Sequence, residues 1–200
     1  MTMTAQNDKD TLLKLRELTG AGMMDCKAAM TEAKGDLKAA QDIIRRKGLD
    51  IAKKKSTREV KEGQIISYIH GAGKLGVLVE INCESDFVAK NDQFQSFAKD
   101  IAMQIAAAYP LYVSSENIPA ADLEKEKNNF LAEIKGKPEA VAEKILQGKL
   151  TKRFEAICLL NQKFIKDDSK TIQDYLNETI ARIGENIVIR RFVRFEVGGA

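Results

Sequence analysis

A chain of 200 residues, 44% hydrophobic and 30% charged, has room for one larger domain, or for a small module plus a larger domain, with a real core. Its 32 basic and 29 acidic residues leave a net charge of +3, too balanced to mark a nucleic-acid partner unless Lys and Arg gather on one face. Three scattered cysteines (Cys26, Cys83, Cys158), one histidine (His70) and the absence of a C-x-x-C pair speak against a zinc site and fit a reducing cytosol; no run approaches the ~20 apolar residues of a membrane span, and MTMTAQNDKD holds no apolar signal stretch.

Residues 11–48 read as three short helices. Leu12, Leu15 and Leu18 share a face of the first, with Leu13 beside it, and Gly20 and Gly22 then break the chain. Met24, Ala28 and Ala29, with Met30 and Ala33, are expected to line the second. Met23 and Met24 are adjacent, and neighbours on a helix point ~100° apart, so at least one is expected to face outward as a soft, adaptable contact. Gly35-Asp36 reads as a stop followed by an N-cap, and Leu37, Ala40, Ile43 and Ile44 give the third helix its stripe before Gly48 ends it. A bundle this small is expected to be modest in stability.

The basic segment Ala52–Lys61 follows, a candidate linker or exposed helix extension. Lys53, Lys54, Lys55, Arg58 and Lys61 lack interleaved aromatics for base stacking, so a solvated linker is favoured over an RNA site. Ile65–His70 and Val77–Cys83 read as strands joined by the glycine-rich Gly71–Gly76, an antiparallel hairpin whose glycines are not spaced as a phosphate loop. The strand pattern stops at Asn82–Asn91, where Asp86 and Phe87 stand at a strand-to-helix turn. A turn usually faces water, so this Phe is either folded back into the core or offered to a partner.

Asn91 is expected to cap a helix to about Tyr109, with Phe94, Phe97, Ala98, Ile101, Ile105 and Ala108 as its stripe and Pro110 as its stop. Helices are expected over residues 120–135 and 138–147, divided by Gly136-Lys137-Pro138, and again over 149–158. Ser169 is expected to cap a helix from Thr171 to Ile183, carrying Ile172, Leu176 and Ile180 and ended by Gly184. Ile187–Val197 is a strong strand that completes a three-stranded sheet, giving an α+β fold.

No catalytic triad, metal cluster or cofactor motif assembles from these residues, and neither metal nor cofactor is expected. His70 reads as structural or solvated, and the cysteines as small apolar residues.

Two segments carry a resemblance. Leu15-Arg-Glu-Leu-Thr-Gly-Ala-Gly-Met-Met-Asp-Cys-Lys-Ala-Ala29 with Gly35-Asp36 resembles the N-terminal module of the translation elongation factor Ts family. Ser85-Asp-Phe-Val-Ala-Lys-Asn91 resembles that family's T-D-F-V-A-[KR]-N signature, and Ile187–Val197 resembles its closing strand. The likeness spans nearly the whole chain. It implies a three-helix, ubiquitin-associated-like N-terminal bundle (1–51), a basic linker (52–62) and an α+β core domain of the dimerisation type (63–200) whose three-stranded antiparallel sheet is packed by helices. The activity implied is guanine-nucleotide exchange on elongation factor Tu in the cytoplasm, by a factor with no catalytic site of its own. Ser85, Asp86, Phe87 and Val88 match the turn that enters beside the partner's nucleotide and magnesium. Ser85 stands where Thr is usual and keeps the hydroxyl. Asp86 is not assigned as a metal ligand. Gly22, Met23 and Met24 fall on the docking face of the bundle. The chain is shorter than many members, with one core unit instead of two, which raises a possible homodimer through an exposed sheet edge. Neither direct nucleic-acid binding nor a membrane is expected. Two other readings remain open to the sequence: an RNA-binding accessory protein using the basic linker, and an enzyme built around His70 and Cys83.

Overall fold

The computed structural model describes residues 3–134 and 138–199. The chain divides into two compact units. One holds the residues up to Gln64 with Ile81–Phe97 and Asp174–Val188; the other holds Ile65–Glu80, Ala98–Gln173 and the residues from Ile189 onward.

The first unit opens with α1 (Met3–Thr19), α2 (Met23–Glu32) and α3 (Leu37–Lys55). Leu15, Cys26, Ala29, Ala40 and Ile43 form their buried centre, with Leu12, Met30, Ala33, Leu37 and Ile44 packed against it. Cys26 and Ala29 make the inward stripe of α2, continued by the partly buried Ala33 at its C-cap. Met24 lies two positions, about 200°, from Cys26 and faces away, and Ala28 is exposed with it, so neither lines the bundle as expected. Leu18 is likewise exposed. At the second break Gly35 takes φ 87°, and the Asp36 carboxylate accepts from the Lys38 and Ala39 amides at 2.8 and 3.0 Å, the expected stop and cap.

The three-stranded antiparallel sheet has the order β1 (Glu62–His70), β2 (Leu75–Cys83), β5 (Ile187–Glu196). Val77, Val79, Ile81 and Cys83 alternate along β2 and are all buried. After β2 come α4 (Asp86–Ala89) and α5 (Asp92–Ala108), the latter capped by Asn91, whose side chain accepts from the Gln93 amide at 2.7 Å. Phe94, Phe97, Ala98, Ile101 and Ile105 are its buried stripe.

The second unit departs from expectation in three places. Residues 139–157 form one helix, α7 (Glu139–Ile157), running straight through Gly148. A lone Gly costs a helix only ~1 kcal/mol relative to Ala, which the rest of the helix outweighs. α6 (Ala120–Glu133) precedes it, and the expected break at Gly136-Lys137 lies outside the described residues. A small antiparallel hairpin, β3 (Lys163–Phe164) with β4 (Asp167–Thr171), has no counterpart in the sequence reading. Buried Gln104 anchors it, donating to the Lys163 carbonyl at 3.1 Å and accepting from the Ile165 amide at 2.9 Å. Ser169 therefore sits in β4, its hydroxyl on Asp167 at 2.6 Å, and does not cap α8 (Ile172–Ile183). Ile172, Leu176 and Ile180 are the buried stripe of α8, as expected.

Back in the first unit, α3 continues past Gly48 to Lys55. A Cβ on Gly48 would sit 3.7 Å from that of Ala181 in α8, so this glycine serves close helix packing and not termination. No described helix is long and apolar enough to cross a membrane.

Candidate functional site

β2 ends at Cys83, whose thiol donates to the Ser85 carbonyl at 3.1 Å. Burial, with the Glu185 carboxylate adding to it, pushes that thiol up to about 11, so Cys83 is a neutral S–H donor at ordinary pH. Ser85 is extended (φ −130°, ψ 155°) and caps α4; its hydroxyl oxygen accepts from the Val88 amide at 3.4 Å. The same hydroxyl donates to Glu185 Oε1 at 2.7 Å, and the Ser85 amide donates to Glu185 Oε2 at 3.0 Å. One residue earlier, Glu84 accepts from the Asn186 amide at 2.6 Å and from the Arg58 guanidinium at 3.3 Å. Asn186 Nδ2 in turn donates to the Arg58 carbonyl at 2.8 Å. The turn is thus held from outside by two consecutive residues that follow α8.

On α4, Ala89 is buried and Phe87, two positions and about 200° away, points out. The Phe87 side chain is 82% exposed. The two fates open to this ring in the sequence are resolved in favour of the surface. Lys90 reaches back one turn to Asp86 Oδ2 at 2.7 Å, and this bond, with the ammonium charge, holds the Asp86 carboxyl below its ordinary range. The turn therefore presents an ionised carboxylate beside an exposed ring. Val88 is half-buried. Gly63 of β1 lies against the end of β2 with φ 145°, where a Cβ would collide with the Ile81 carbonyl oxygen and the Asn82 Cα.

Gly22, Met23 and Met24 stand at the start of α2. Gly22 is its N-cap and its carbonyl accepts from the Cys26 amide at 2.9 Å. Met24 is 75% exposed and Met23 36%, so both contribute surface. The preceding corner is fixed by the Thr19 hydroxyl, which donates to the Leu15 carbonyl at 2.7 Å and accepts from the Ala21 amide at 3.3 Å. Ser85–Val88 and Gly22–Met24 are two separate groups on different elements of one unit.

His70 is exposed at the end of β1, its Nδ1 3.0 Å from the Tyr68 hydroxyl, while Cys83 is fully buried. Among the described residues no group of three or more His, Cys, Asp or Glu is arranged to hold a metal. Lys53–Lys55 form the last turn of α3. Lys55 bonds the Gly184 carbonyl and Lys61 pairs with Glu59 at 3.0 Å, so part of the basic segment is already engaged.

Sequence reasoning missed Glu84, Glu185 and Asn186, and gave Lys90 no role beyond its place in the Ser85–Asn91 signature. Only Lys90 left a signal, its i,i+4 spacing from Asp86 within a helix start. Glu185 lies 100 residues from Ser85 and no local pattern connects them.

Residues 26–199 match the family model described as Elongation factor TS. Elongation factor Ts of Geobacter sulfurreducens is 56% identical over 187 residues, covering 92% of this chain and 87% of that protein. Elongation factor Ts of Geotalea uraniireducens is 58% identical with the same coverage, and that of Thermodesulfovibrio yellowstonii 55% identical over 199 residues, covering 99% and 98%. Likeness of this depth along nearly the full length, with the Ser85–Asn91 turn in place, means that the chain belongs to the elongation factor Ts family of translation elongation factors.

Proposed function

We propose that the chain binds elongation factor Tu in its GDP form and speeds GDP release by inserting the Asp86–Phe87 turn beside the nucleotide and magnesium. The observation that carries this reading is Phe87, a large apolar ring left 82% exposed on a turn clamped on its N-terminal side at Glu84 and Ser85. Burying such a ring is worth ~1.5–3 kcal/mol, a gain this chain forgoes alone and recovers only against a partner. The exchange needs no chemistry from this chain. A wedge has only to bind the empty, distorted GTPase better than the loaded one. By linkage, nucleotide then weakens the complex by the same factor by which the complex weakens nucleotide. Asp86 adds a fixed negative charge where a magnesium shell is disturbed. Met23 and Met24, beside Gly22, dock the N-terminal module on the GTPase and supply affinity. The site of action is the cytoplasm.

Self-association belongs to the same proposal. Glu80 of β2 and Arg191 of β5 pair at 2.7 Å, and Leu78 of β2 with Val193 and Phe195 of β5 make up an exposed apolar group on these two strands. Ile69 joins it, 3.3 Å from the place of a Gly76 Cβ. These apolar residues are all exposed, and a second copy of the chain covers them in a homodimer. Sedimentation showing a monomer at working concentration, with full exchange activity, removes this part.

The decisive experiment for the function is a stopped-flow trace of fluorescent GDP leaving elongation factor Tu. Release that accelerates with added chain and saturates supports exchange. A trace unchanged by the chain refutes it.

A further inference from the structure

The corner at the end of α8, Arg182 to Asn186, belongs to neither group of partner-facing residues, yet it grips both. Toward the wedge turn, Glu185 takes the Ser85 amide and hydroxyl at 3.0 and 2.7 Å, and the Asn186 amide holds Glu84 at 2.6 Å. Toward the docking module, Arg182 Nη2 donates to the Thr19 carbonyl at 3.0 Å, directly before the Gly20–Met24 corner. Gly20, at φ 65°, has no Cβ, and the Arg182 guanidinium fills the space one would take. The Gly184 carbonyl accepts from Lys55 at the end of α3.

Local turn chemistry does not explain these contacts, since Ser85 and Glu185 are 100 residues apart and Thr19 and Arg182 are 163 apart. Nor does simple satisfaction of polar groups. The Ser85 amide and hydroxyl are only part-buried, and water would serve them. A bidentate carboxylate does what water does not: it fixes the direction of the turn.

We infer that Glu185 is a positioning residue for nucleotide exchange, and that the Arg182–Asn186 corner holds the wedge turn and the docking corner in one frame. This deepens the proposed function and rests on the wedge reading. A wedge acts on one partner group, and a turn displaced by about 1 Å loses much of its effect even when the complex still forms. Glu185 therefore governs the maximal rate of GDP release, through Phe87. Arg182 governs the concentration of factor needed to reach it, through the docking corner.

The test is GDP release from elongation factor Tu by the full chain, titrated to a plateau, for Phe87→Ala, Glu185→Ala, the double variant, Glu185→Gln and Arg182→Ala, with circular dichroism on each. Glu185→Ala is expected to lower the plateau about tenfold with the fold intact, the effect of losing one charge-assisted clasp. The double variant is expected to be no slower than Phe87→Ala alone, because the two residues act as one unit. Glu185→Gln keeps an acceptor for the Ser85 amide and a donor for its hydroxyl, and is expected to stay within about twofold of the parent. Arg182→Ala is expected to raise the half-saturating concentration and spare the plateau. A folded Glu185→Ala with the parent plateau overturns the inference. So does a double variant slower than Phe87→Ala by the full Glu185→Ala factor. Should Glu185→Ala not fold, Ser85→Ala takes its place in the cycle with the same two outcomes. Phe87→Ala without effect removes the wedge reading, and this inference with it; a slow Phe87→Ala combined with an additive Glu185→Ala removes the inference alone.

Discussion

Replacing Glu84 by Ala strips the Asn186 amide of its acceptor at 2.6 Å and the Arg58 guanidinium of its partner at 3.3 Å. The Glu84 side chain is 22% exposed, so its bond from Asn186 is partly shielded; the Arg58 side chain is 52% exposed and its ion pair adds little. A hydrogen bond to a charged group is worth ~1.5–3 kcal/mol, and about 2 kcal/mol is expected here. For a chain of this size each kcal/mol moves the melting temperature by ~2–4 °C, so Glu84→Ala should melt about 4–8 °C lower at pH 7. The pH dependence has a definite sign. The Asn186 amide first, and Arg58 after it, hold the Glu84 carboxyl below its ordinary 4.5, so below that value the unfolded chain binds the extra proton. The contribution is therefore complete above about 4.5 and is lost as pH falls through the folded value, and the gap between parent and variant should close on acidification. Glu84→Gln keeps an acceptor without the charge; it should fall between the two at pH 7, its gap to the parent should also narrow on acidification because the titrating group is the parent's own, and its gap to Glu84→Ala should stay constant. Thermal melts by circular dichroism at neutral and acid pH read all of this. A Glu84→Ala melt within about 1 °C of the parent at pH 7, or a gap that widens in acid, refutes the reasoning.

Gly63→Ala forces a Cβ against the Ile81 carbonyl at a φ of 145°, where no flexible side chain can yield; a loss on the order of 3 kcal/mol is expected, and an unchanged melting temperature contradicts it. Met24→Glu should leave the fold intact, because Met24 faces water, while weakening the complex with elongation factor Tu about tenfold by titration calorimetry. Unfolding of the bundle would instead assign Met24 to the core. Cys83, buried and with its thiol pushed up to about 11, should resist iodoacetamide at pH 8 in the native protein and react in urea, as read by mass spectrometry. Labelling of native Cys83 at the rate of an exposed thiol is the adverse result.

Much of the fold was legible because its signals are local. Asp36 announces its helix by residue type and spacing, and Val77, Val79, Ile81 and Cys83 announce a strand by alternation. The same locality explains the errors. In α2, Met24 and Cys26 are both apolar, and nothing in the pattern says that the smaller one turns inward. Gly48 reads as a stop and Gly148 falls between the helices expected over 138–147 and 149–158, yet one sits against Ala181 and the other is tolerated mid-helix. β3 has two residues, too few for any period, and is held by Gln104 from far along the chain. In the candidate site the turn itself was readable, but the direction of Phe87 depends on Ala89 packing inward. The clasp from Glu185 and Asn186 exists only after β2 and the end of α8 have been brought together.

The wedge role of Phe87 is tested most directly by one comparison: the saturating rate of GDP release from elongation factor Tu driven by the parent chain and by Phe87→Ala. Loss of ~1.5–3 kcal/mol of ring burial predicts a rate lower by about one to two decades, with an unchanged circular dichroism spectrum because the ring is in water in the free protein. A folded Phe87→Ala that drives release as fast as the parent contradicts it.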